Sequence, residues 1–385
     1  MNSTLPLGDV AFYWRTKATP TDPSRDIPAR LPFEFGFDPT YQLIIQRRNQ
    51  EVLRWLGRVY RENANVGYLQ EGHALAAAYG GEFLSFIGKA LAQGAGRPMS
   101  VVDIGCGGVY LLRKLKEQGF HVCGIDPSPV TFNAGRAIGI EIIPEFYPSN
   151  GFSRRFDLIY HYDVLEHIVN PVEFLQAHHA NLNAGGGIII AVPDCTSNIE
   201  YGDIAMLLHE HLNYFDLDSL RRVAQGAGFE PLLLERSEYG GVLFCYAVPA
   251  PSPTIKLPKS SDWEKFNSFG IRAKNVMERF RNYAEPLMRS TTRSLGVYVP
   301  LRVAPYLCQL GISAGVRFFD DDPGVHRRYY DGFDIPIENI VDLGQHPVTD
   351  LLIASLAFGD RIREKVRQKH GDEIHIKLWR DLLTR

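Results

Sequence analysis

The chain contains few cysteines, and they are far apart in the sequence. The 385 residues include Cys106, Cys123, Cys195, Cys245 and Cys308, and no two of these are close neighbours. The CxxC spacing of a zinc ribbon is therefore missing. An odd, scattered set of cysteines is typical of reduced thiols, so we expect a cytoplasmic protein.

Long apolar runs and an excess of one charge are also missing. The longest aliphatic run, Ile188–Val192, is far shorter than the ~20 residues that span a bilayer. Residues 1–15 lack a basic stretch followed by an apolar run, so we expect no secretory signal. Lys and Arg number 41 against 44 Asp and Glu, a net charge of −3. We therefore expect neither a membrane nor a nucleic-acid partner.

Proline and apolar spacing divide the chain into four predicted parts. Prolines before residue 36 predict an irregular arm, and helical spacing predicts helices over 39–63 and from 68 to about 93, so residues 1–98 form an arm and helical cap. Strands alternate with helices over 99–249, which indicates a mostly parallel sheet. Prolines in 249–260 suggest a linker, and a helix follows, so 250–289 is a linker and helix. A smaller α/β domain is predicted at 290–385.

A glycine loop follows the first predicted strand of the 99–249 region. The segment VVDIGCGG starts at Val101, and Asp126 ends the next strand, 23 residues after Asp103. Nicotinamide and adenosylmethionine sites share this plan. The dinucleotide pattern GxGxxG fails, because its last glycine position is Tyr110. Asp103 places a negative charge before the loop, which suits a sulfonium and repels a diphosphate.

Four motifs in order resemble the class I adenosylmethionine-dependent methyltransferases. They are VVDIGCGGVYLLRKL, GIDPSP, FDLIYHYDVLEHIVNP and LNAGGGIIIAVP. The resemblance implies a Rossmann-like core with a mostly parallel seven-stranded sheet and S-adenosylmethionine as cofactor. It also implies that the cofactor is bound by Asp103, Gly105, Cys106 and Gly107 at the methionine end, by Asp126 and Pro127 at the ribose, by Glu145 and Phe146 at the adenine, and by His161 and Asp163 near the donor. One departure is Val109, which stands at the third glycine of the family pattern.

The segment HEHLNYFDLDSL, which begins at His209, resembles the deoxysugar C-methyltransferases. That resemblance implies that His211 is the general base, with Glu210 as its neighbour, and that the acceptor is a sugar or nucleotide-linked sugar. C-methylation is then favoured over O-methylation. The chain lacks that family's N-terminal four-cysteine zinc module, and Leu208 stands where its tyrosine is expected. Histidine itself suits proton removal near neutrality.

Several alternatives remain open from the sequence. Tyr162 either lines the acceptor pocket or packs in a loop, and His209 and His211 either act in catalysis or hydrogen-bond their loop. Glu166 and His167 are interpreted as a structural pair. No H-x-x-x-H pair occurs among the histidines between 161 and 211, so no metal site is predicted. A nicotinamide-dependent oxidoreductase and an inactive methyltransferase-like binding subunit are the alternative functions. The oligomeric state is not predicted.

Overall fold

The computed structural model divides the chain into two compact units. It describes residues 4–12, 16–20, 27–61, 74–93, 100–149, 152–250, 263–312, 314–344, 347–356 and 358–384. We call Phe37–Thr196 and Glu210–Asp262 the core unit, and Met1–Gly36, Ser197–His209 and Trp263–Arg385 the terminal unit. The terminal unit thus combines both ends of the chain with a short internal segment.

Strands and helices alternate along most of the described chain. The strands are β1 Leu5–Ala11, β2 Arg30–Asp38, β3 Leu43–Gln46, β4 Ser100–Ile104, β5 His121–Ile125, β6 Glu141–Ile143, β7 Phe156–Tyr162, β8 Leu182–Pro193, β9 Asn213–Tyr214, β10 Phe229–Arg236, β11 Val242–Pro249, β12 Leu295–Tyr298, β13 Arg317–Asp320, β14 Ile337–Asn339, β15 Asp350–Ile353 and β16 His375–Leu378. The helices are α1 Gln50–Arg61, α2 Ala74–Gln93, α3 Tyr110–Glu117, α4 Pro129–Ala137, α5 Pro171–Asn181, α6 Thr196–Tyr201, α7 Leu217–Gly226, α8 Glu264–Arg289, α9 Ala304–Gln309, α10 Gly359–His370 and α11 Arg380–Leu383.

A seven-stranded sheet forms the centre of the core unit. Its order is β10-β11-β8-β7-β4-β5-β6. The five strands from β8 to β6 run parallel, and β11 and β10 join antiparallel at one edge. This arrangement confirms the mostly parallel Rossmann-like sheet expected from the sequence. The carboxyl ends of β4, β5 and β7 therefore meet at one edge, where ligands bind in open α/β sheets.

Both faces of this sheet are covered by apolar side chains. Val102 and Ile159 face one buried cluster with α5 and α7, whereas Val101 and Leu158 face a second cluster with α2 and α3. Side chains alternate between the faces of a strand, so a strand buried on both sides needs a continuous apolar run. That requirement explains the apolar run at 188–192 and the apolar residues Val101, Val102 and Ile104 of β4.

The terminal unit contains a parallel sheet of its own. Its order in the described residues is β14-β13-β12-β15-β16, and every neighbouring pair is parallel. The α/β pattern expected at 290–385 is present here, with β14 and β16 as strands that the sequence interpretation missed. The same unit contains an antiparallel pair of β1 and β2.

The N-terminal region differs from the sequence prediction. The expected irregular arm contains β1 and most of β2, and the helix expected over 39–63 is replaced by strand β3 followed by α1. Alternation of buried and exposed residues in LPLGDVA and RLPFEFGFD is a strand signal, which the prolines obscured. The start of the second expected helix, 68–73, and most of the expected linker lie outside the described residues.

A buried carboxylate joins distant segments inside the terminal unit. Asp203 accepts hydrogen bonds from Trp379 Nε1 at 2.9 Å and from the Tyr306 hydroxyl at 2.7 Å. The Tyr306 oxygen in turn accepts the Ile204 N–H at 2.9 Å. All of these groups are buried, so each depends on its partner in place of water.

Replacing Asp203 with alanine should destabilise the protein by about 3 kcal/mol, because a buried donor left without an acceptor costs about 1–3 kcal/mol. Urea unfolding measures this change in the free energy of unfolding. Asp334→Ala, at an exposed aspartate of the same unit, is the control and should change it by less than about 0.5 kcal/mol. Equal stability of the two variants would show that the Asp203 network does not stabilise the fold.

Candidate active site

The loop between β4 and α3 requires glycine at two positions. Gly105 and Gly107 have φ angles of 70° and 49°, in the left-handed region that other residues avoid. A Cβ atom at Gly105 would lie 2.6 Å from Val164 Cγ2, so the backbone also passes too close to the 164 side chain for any other residue. The turn is held to the next strand, since the Gly105 N–H donates to the Ile125 carbonyl at 2.7 Å.

Val109 fits its position without the third glycine of the family pattern. Its φ is −107°, a conformation open to any residue. Its side chain is buried against Leu112, Ile140 and Ile142. The valine therefore adds a packing contact at the start of α3 and imposes no strain on the loop.

Two buried carboxylates lie beside this loop, at the ends of neighbouring parallel strands. Asp103 is 3% exposed and Asp126 is 6% exposed. Asp126 Oδ2 accepts the Gly107 N–H at 2.7 Å, and its Oδ1 accepts the Ser128 N–H at 2.8 Å. Burial raises the pKa of both carboxyls above the usual value, and at Asp126 these two N–H groups and the Thr131 hydroxyl oppose the rise. A carboxylate offers about four lone-pair sites, so Asp126 can also accept a ribose hydroxyl.

The other residues expected at the cofactor lie in different environments. A Cβ atom at Gly124 would lie 2.7 Å from Cys106 Sγ, so the thiol is directed beneath the loop onto β5. Pro127 is half-buried beside Asp126, whereas Glu145 and Phe146 are exposed just after β6. An exposed phenylalanine at that edge is available to stack on a ring.

The end of β7 places His161, Tyr162 and Asp163 in different environments. The His161 ring has no exposed surface and packs against Phe174 and His178, with ring centroids 5.5 and 5.6 Å away. Burial lowers its pKa well below the usual value. This core position does not favour the cofactor contact expected for His161. Tyr162 is half-buried, and Asp163 is exposed with a φ of 55°.

Three side chains from two loops meet near the carboxyl end of β7. Glu166, His167 and His211 place one ligand atom each within 4.8 Å of one another. The His167 and His211 rings lie 5.0 Å apart at 72°. The loops are joined by Asn213, whose Nδ2 donates to the carbonyls of Leu165 at 3.1 Å and Ile168 at 2.7 Å. We call Glu166, His167 and His211 the Glu–His–His cluster.

Glu166 is the buried carboxylate of this cluster. It is 1% exposed, and neither carboxylate oxygen has a hydrogen-bond partner among the described residues. Burial raises its pKa well above the usual value, and the charges of Asp163 and Glu210 raise it further. The sequence interpretation of Glu166 and His167 as a structural pair missed His211, which is distant in sequence. The sequence signal for this cluster was an acidic residue next to a histidine just after a strand.

His209 does not join the cluster. It belongs to the terminal unit, where its ring lies 5.4 Å from both Phe12 and Phe33. Its ring nitrogens lie 3.2 Å from the Ala11 carbonyl oxygen and 3.1 Å from that of Leu31. Of the two histidines considered from the sequence, His209 therefore holds backbone segments together.

Comparison with known proteins supports the methyltransferase class that the sequence motifs predict. A family model described as a methyltransferase domain matches residues 75–234. Residues 75–234, most of which belong to the core unit, are therefore similar to a methyltransferase domain, and S-adenosylmethionine is the cofactor of that class. No helix in the described residues has the length and apolar character needed to cross a membrane.

Individual relatives match short parts of the chain. A ubiquinone biosynthesis O-methyltransferase of Methylobacterium sp. is 30% identical over 95 residues, which cover 23% of this chain and 38% of the relative. The C-methyltransferase NovU of Streptomyces niveus is 26% identical over 160 residues, 39% of this chain and 37% of the relative. The chain thus spans less than two fifths of the length of either relative.

One solved structure resembles part of the chain. The alignment with the 1,6-didemethyltoxoflavin-N1-methyltransferase of Burkholderia thailandensis covers 54% of this chain and 96% of that chain, with 18% identity and a TM-score of 0.40.

Gly105→Ala should destabilise the protein more than Gly107→Ala. Both substitutions add left-handed strain of about 1–2 kcal/mol. Only the first adds a clash with Val164, worth about 1–3 kcal/mol more. Adding Val164→Ala should recover part of the loss from Gly105→Ala and none from Gly107→Ala, which a double-mutant cycle of unfolding free energies measures. Equal recovery in both would contradict the close approach of residues 105 and 164.

Proposed function

We propose that this protein is an S-adenosylmethionine-dependent methyltransferase whose acceptor is a sugar or nucleotide-linked sugar. The observation that carries the proposal is the pair of buried carboxylates, Asp103 and Asp126, around the glycine turn of a methyltransferase domain. Two carboxylates there favour a cationic donor with a ribose and disfavour a diphosphate. The nicotinamide alternative is weakened for that reason.

Each cofactor residue has a proposed task in this mechanism. Asp103, with the backbone at Gly105 and Gly107, faces the methionine end, while Asp126 accepts the ribose hydroxyls and Phe146 covers the adenine. S-adenosylmethionine supplies an electrophilic methyl group on a sulfonium. The protein's part is to hold the acceptor atom in line with that group, about 3–3.5 Å away.

We assign removal of the acceptor proton to the Glu–His–His cluster. His167 and His211 are its half-buried members, which suits contact with an acceptor, whereas Glu166 is buried. Of the two histidines, His211 is the one that the family resemblance implies as the base. A hydroxyl, or a carbon next to a ketone, must lose a proton before or during methyl transfer, and an imidazole serves that step near neutral pH. Glu210 is the neighbouring acid, and Tyr162 is proposed to line the acceptor pocket.

The acceptor class rests on the segment that carries His211. The resemblance of HEHLNYFDLDSL to deoxysugar C-methyltransferases and the partial match to NovU favour a sugar and methylation at carbon. Matches to a ubiquinone O-methyltransferase and to a tRNA U34 carboxymethyltransferase of Pseudoalteromonas translucida cover only 23% and 24% of the chain. These shorter matches support the shared cofactor domain more than any acceptor.

Asp126→Ala should weaken binding of S-adenosylhomocysteine at least about tenfold, because a hydrogen bond to a charged group contributes about 1.5–3 kcal/mol. Isothermal titration calorimetry measures the affinity. Asp218→Ala, at an exposed aspartate of α7, is the control and should leave the affinity unchanged.

The affinity of the unsubstituted protein for S-adenosylhomocysteine should fall as the pH is lowered. Because the pKa of Asp126 is raised, the fall should begin at a higher pH than for a carboxyl with the usual pKa. Unchanged affinity in Asp126→Ala, or tight binding of NADH, would overturn the cofactor assignment.

His211→Asn should bind S-adenosylhomocysteine normally and lose about 10²–10⁴ in methyl transfer, the range typical of proton-transfer groups. Radiolabelled S-adenosylmethionine with a panel of nucleotide-linked sugars measures transfer. His121→Gln, at an exposed histidine that begins β5, is the matched control and should keep full activity. Full activity in His211→Asn would exclude the residue from the mechanism, and no transfer by the unsubstituted protein to any sugar would reject the acceptor class.

A further inference from the structure

We propose that the Glu–His–His cluster binds a divalent transition-metal ion of the Zn²⁺ type through Glu166, His167 and His211. All three residues belong to the core unit. The inference extends the proposed function, since it concerns the same cluster, but metal binding is measurable without a methyl acceptor.

The ligand atoms already lie nearly close enough to share one ion. They are within 4.8 Å of one another, and the His167 Nε2 to Glu166 Oε1 distance is 3.5 Å. Two atoms bound to one tetrahedral zinc at about 2.0–2.2 Å are about 3.3–3.6 Å apart. The Glu166–His167 pair already has this separation, and side-chain rotations that bring the more distant atoms about 1 Å closer would complete the site.

Glu166 provides an independent reason to expect a cation. Its carboxylate is 1% exposed and neither oxygen accepts a hydrogen bond in the part of the chain that the structure describes. A buried carboxylate normally has several donors or an ion, because an uncompensated buried charge is costly. Both oxygens are therefore available to a ligand, and one lies toward His167.

The His167 ring is oriented as a metal ligand would be. Its Nδ1 lies 2.7 Å from the Glu210 carbonyl oxygen, which can only accept, so Nδ1 carries the hydrogen. In the neutral ring Nε2 then presents a lone pair toward the Glu166 carboxylate. Two lone pairs at that distance repel unless a proton or a cation lies between them. Metal-binding histidines commonly donate their other N–H to a backbone carbonyl in this way.

The donor set selects the class of ion. Two imidazole nitrogens and one carboxylate oxygen suit Zn²⁺ and neighbouring transition ions, whereas Mg²⁺ and Ca²⁺ prefer oxygen ligands throughout. The acidic side chains of Asp163 and Glu210 lie near enough to affect Glu166 electrostatically, which makes the surroundings favourable to a positive ion. Three protein ligands also leave a coordination position for water or an acceptor oxygen.

Metal binding would change how His211 serves the reaction. With an ion present, His211 would hold the ion instead of taking the proton, and the ion would lower the pKa of an acceptor hydroxyl so that its proton can pass to water. Loss of turnover on substitution of His211 is expected in either case. The metal titration below therefore decides between direct proton transfer to His211 and action through an ion.

The test is titration of the chelator-treated full chain with Co²⁺ and Zn²⁺. We expect about one Co²⁺ per chain with visible absorption bands typical of nitrogen and oxygen ligands, and displacement by Zn²⁺ but not by Mg²⁺. Glu166→Gln and His211→Gln should each weaken binding at least about tenfold, the scale seen when ligand support is removed. His121→Gln, the exposed histidine control, should bind as the unsubstituted protein does.

Two further measurements keep the outcomes separable. Circular dichroism and S-adenosylhomocysteine affinity verify that Glu166→Gln is folded, which we expect because the amide removes a buried charge without changing side-chain size. Zn²⁺ should raise the melting temperature of the unsubstituted protein and not that of Glu166→Gln. Absence of Co²⁺ and Zn²⁺ uptake would overturn the metal site. So would metal uptake by Glu166→Gln and His211→Gln equal to that of the unsubstituted protein. Normal S-adenosylhomocysteine binding in that case would leave the methyltransferase proposal intact.

Discussion

The hydrogen bonds that Asp126 accepts from Gly107 and Ser128 hold the cofactor edge of the core unit together. They fix the glycine turn against the end of β5 and satisfy a carboxylate that is otherwise buried. The glycine turn also places Asp103 and the start of α3 at the same edge. Without these two bonds the turn would be held mainly by the Gly105 N–H that donates to the Ile125 carbonyl, and Gly107 would gain backbone freedom.

The proposed cofactor residues and the Glu–His–His cluster are positioned in different ways. Asp103, Gly105, Gly107 and Asp126 come from one strand-loop-helix-strand stretch, so local sequence order sets their positions. The Glu–His–His cluster comes from two loops that Asn213 joins through backbone carbonyls. Its geometry depends on that long-range contact.

Sequence reasoning succeeded where a pattern had one structural meaning. The apolar run at 188–192 and the mostly apolar segment at 101–104 indicated strands buried on both faces, and the glycine loop follows the segment at 101–104. It failed at the N-terminal arm, where prolines concealed the alternation of β1 and β2, and at 39–49, where a short strand precedes α1. At His161 it placed a donor-facing residue that the structure buries, because alternation along β7 directs that side chain onto α5.

The sequence by itself determined the class of the core unit, the glycine turn and the two carboxylates that flank it. These features depend on residues close in the chain, whose spacing follows from strand and turn geometry. Only the tertiary structure decided that Glu166 and His167 meet His211, and that His209 instead packs between Phe12 and Phe33. The physical reason is that side chains 44 or 45 residues apart meet only when packing and hydrogen bonds bring their loops together, and no local pattern encodes that approach.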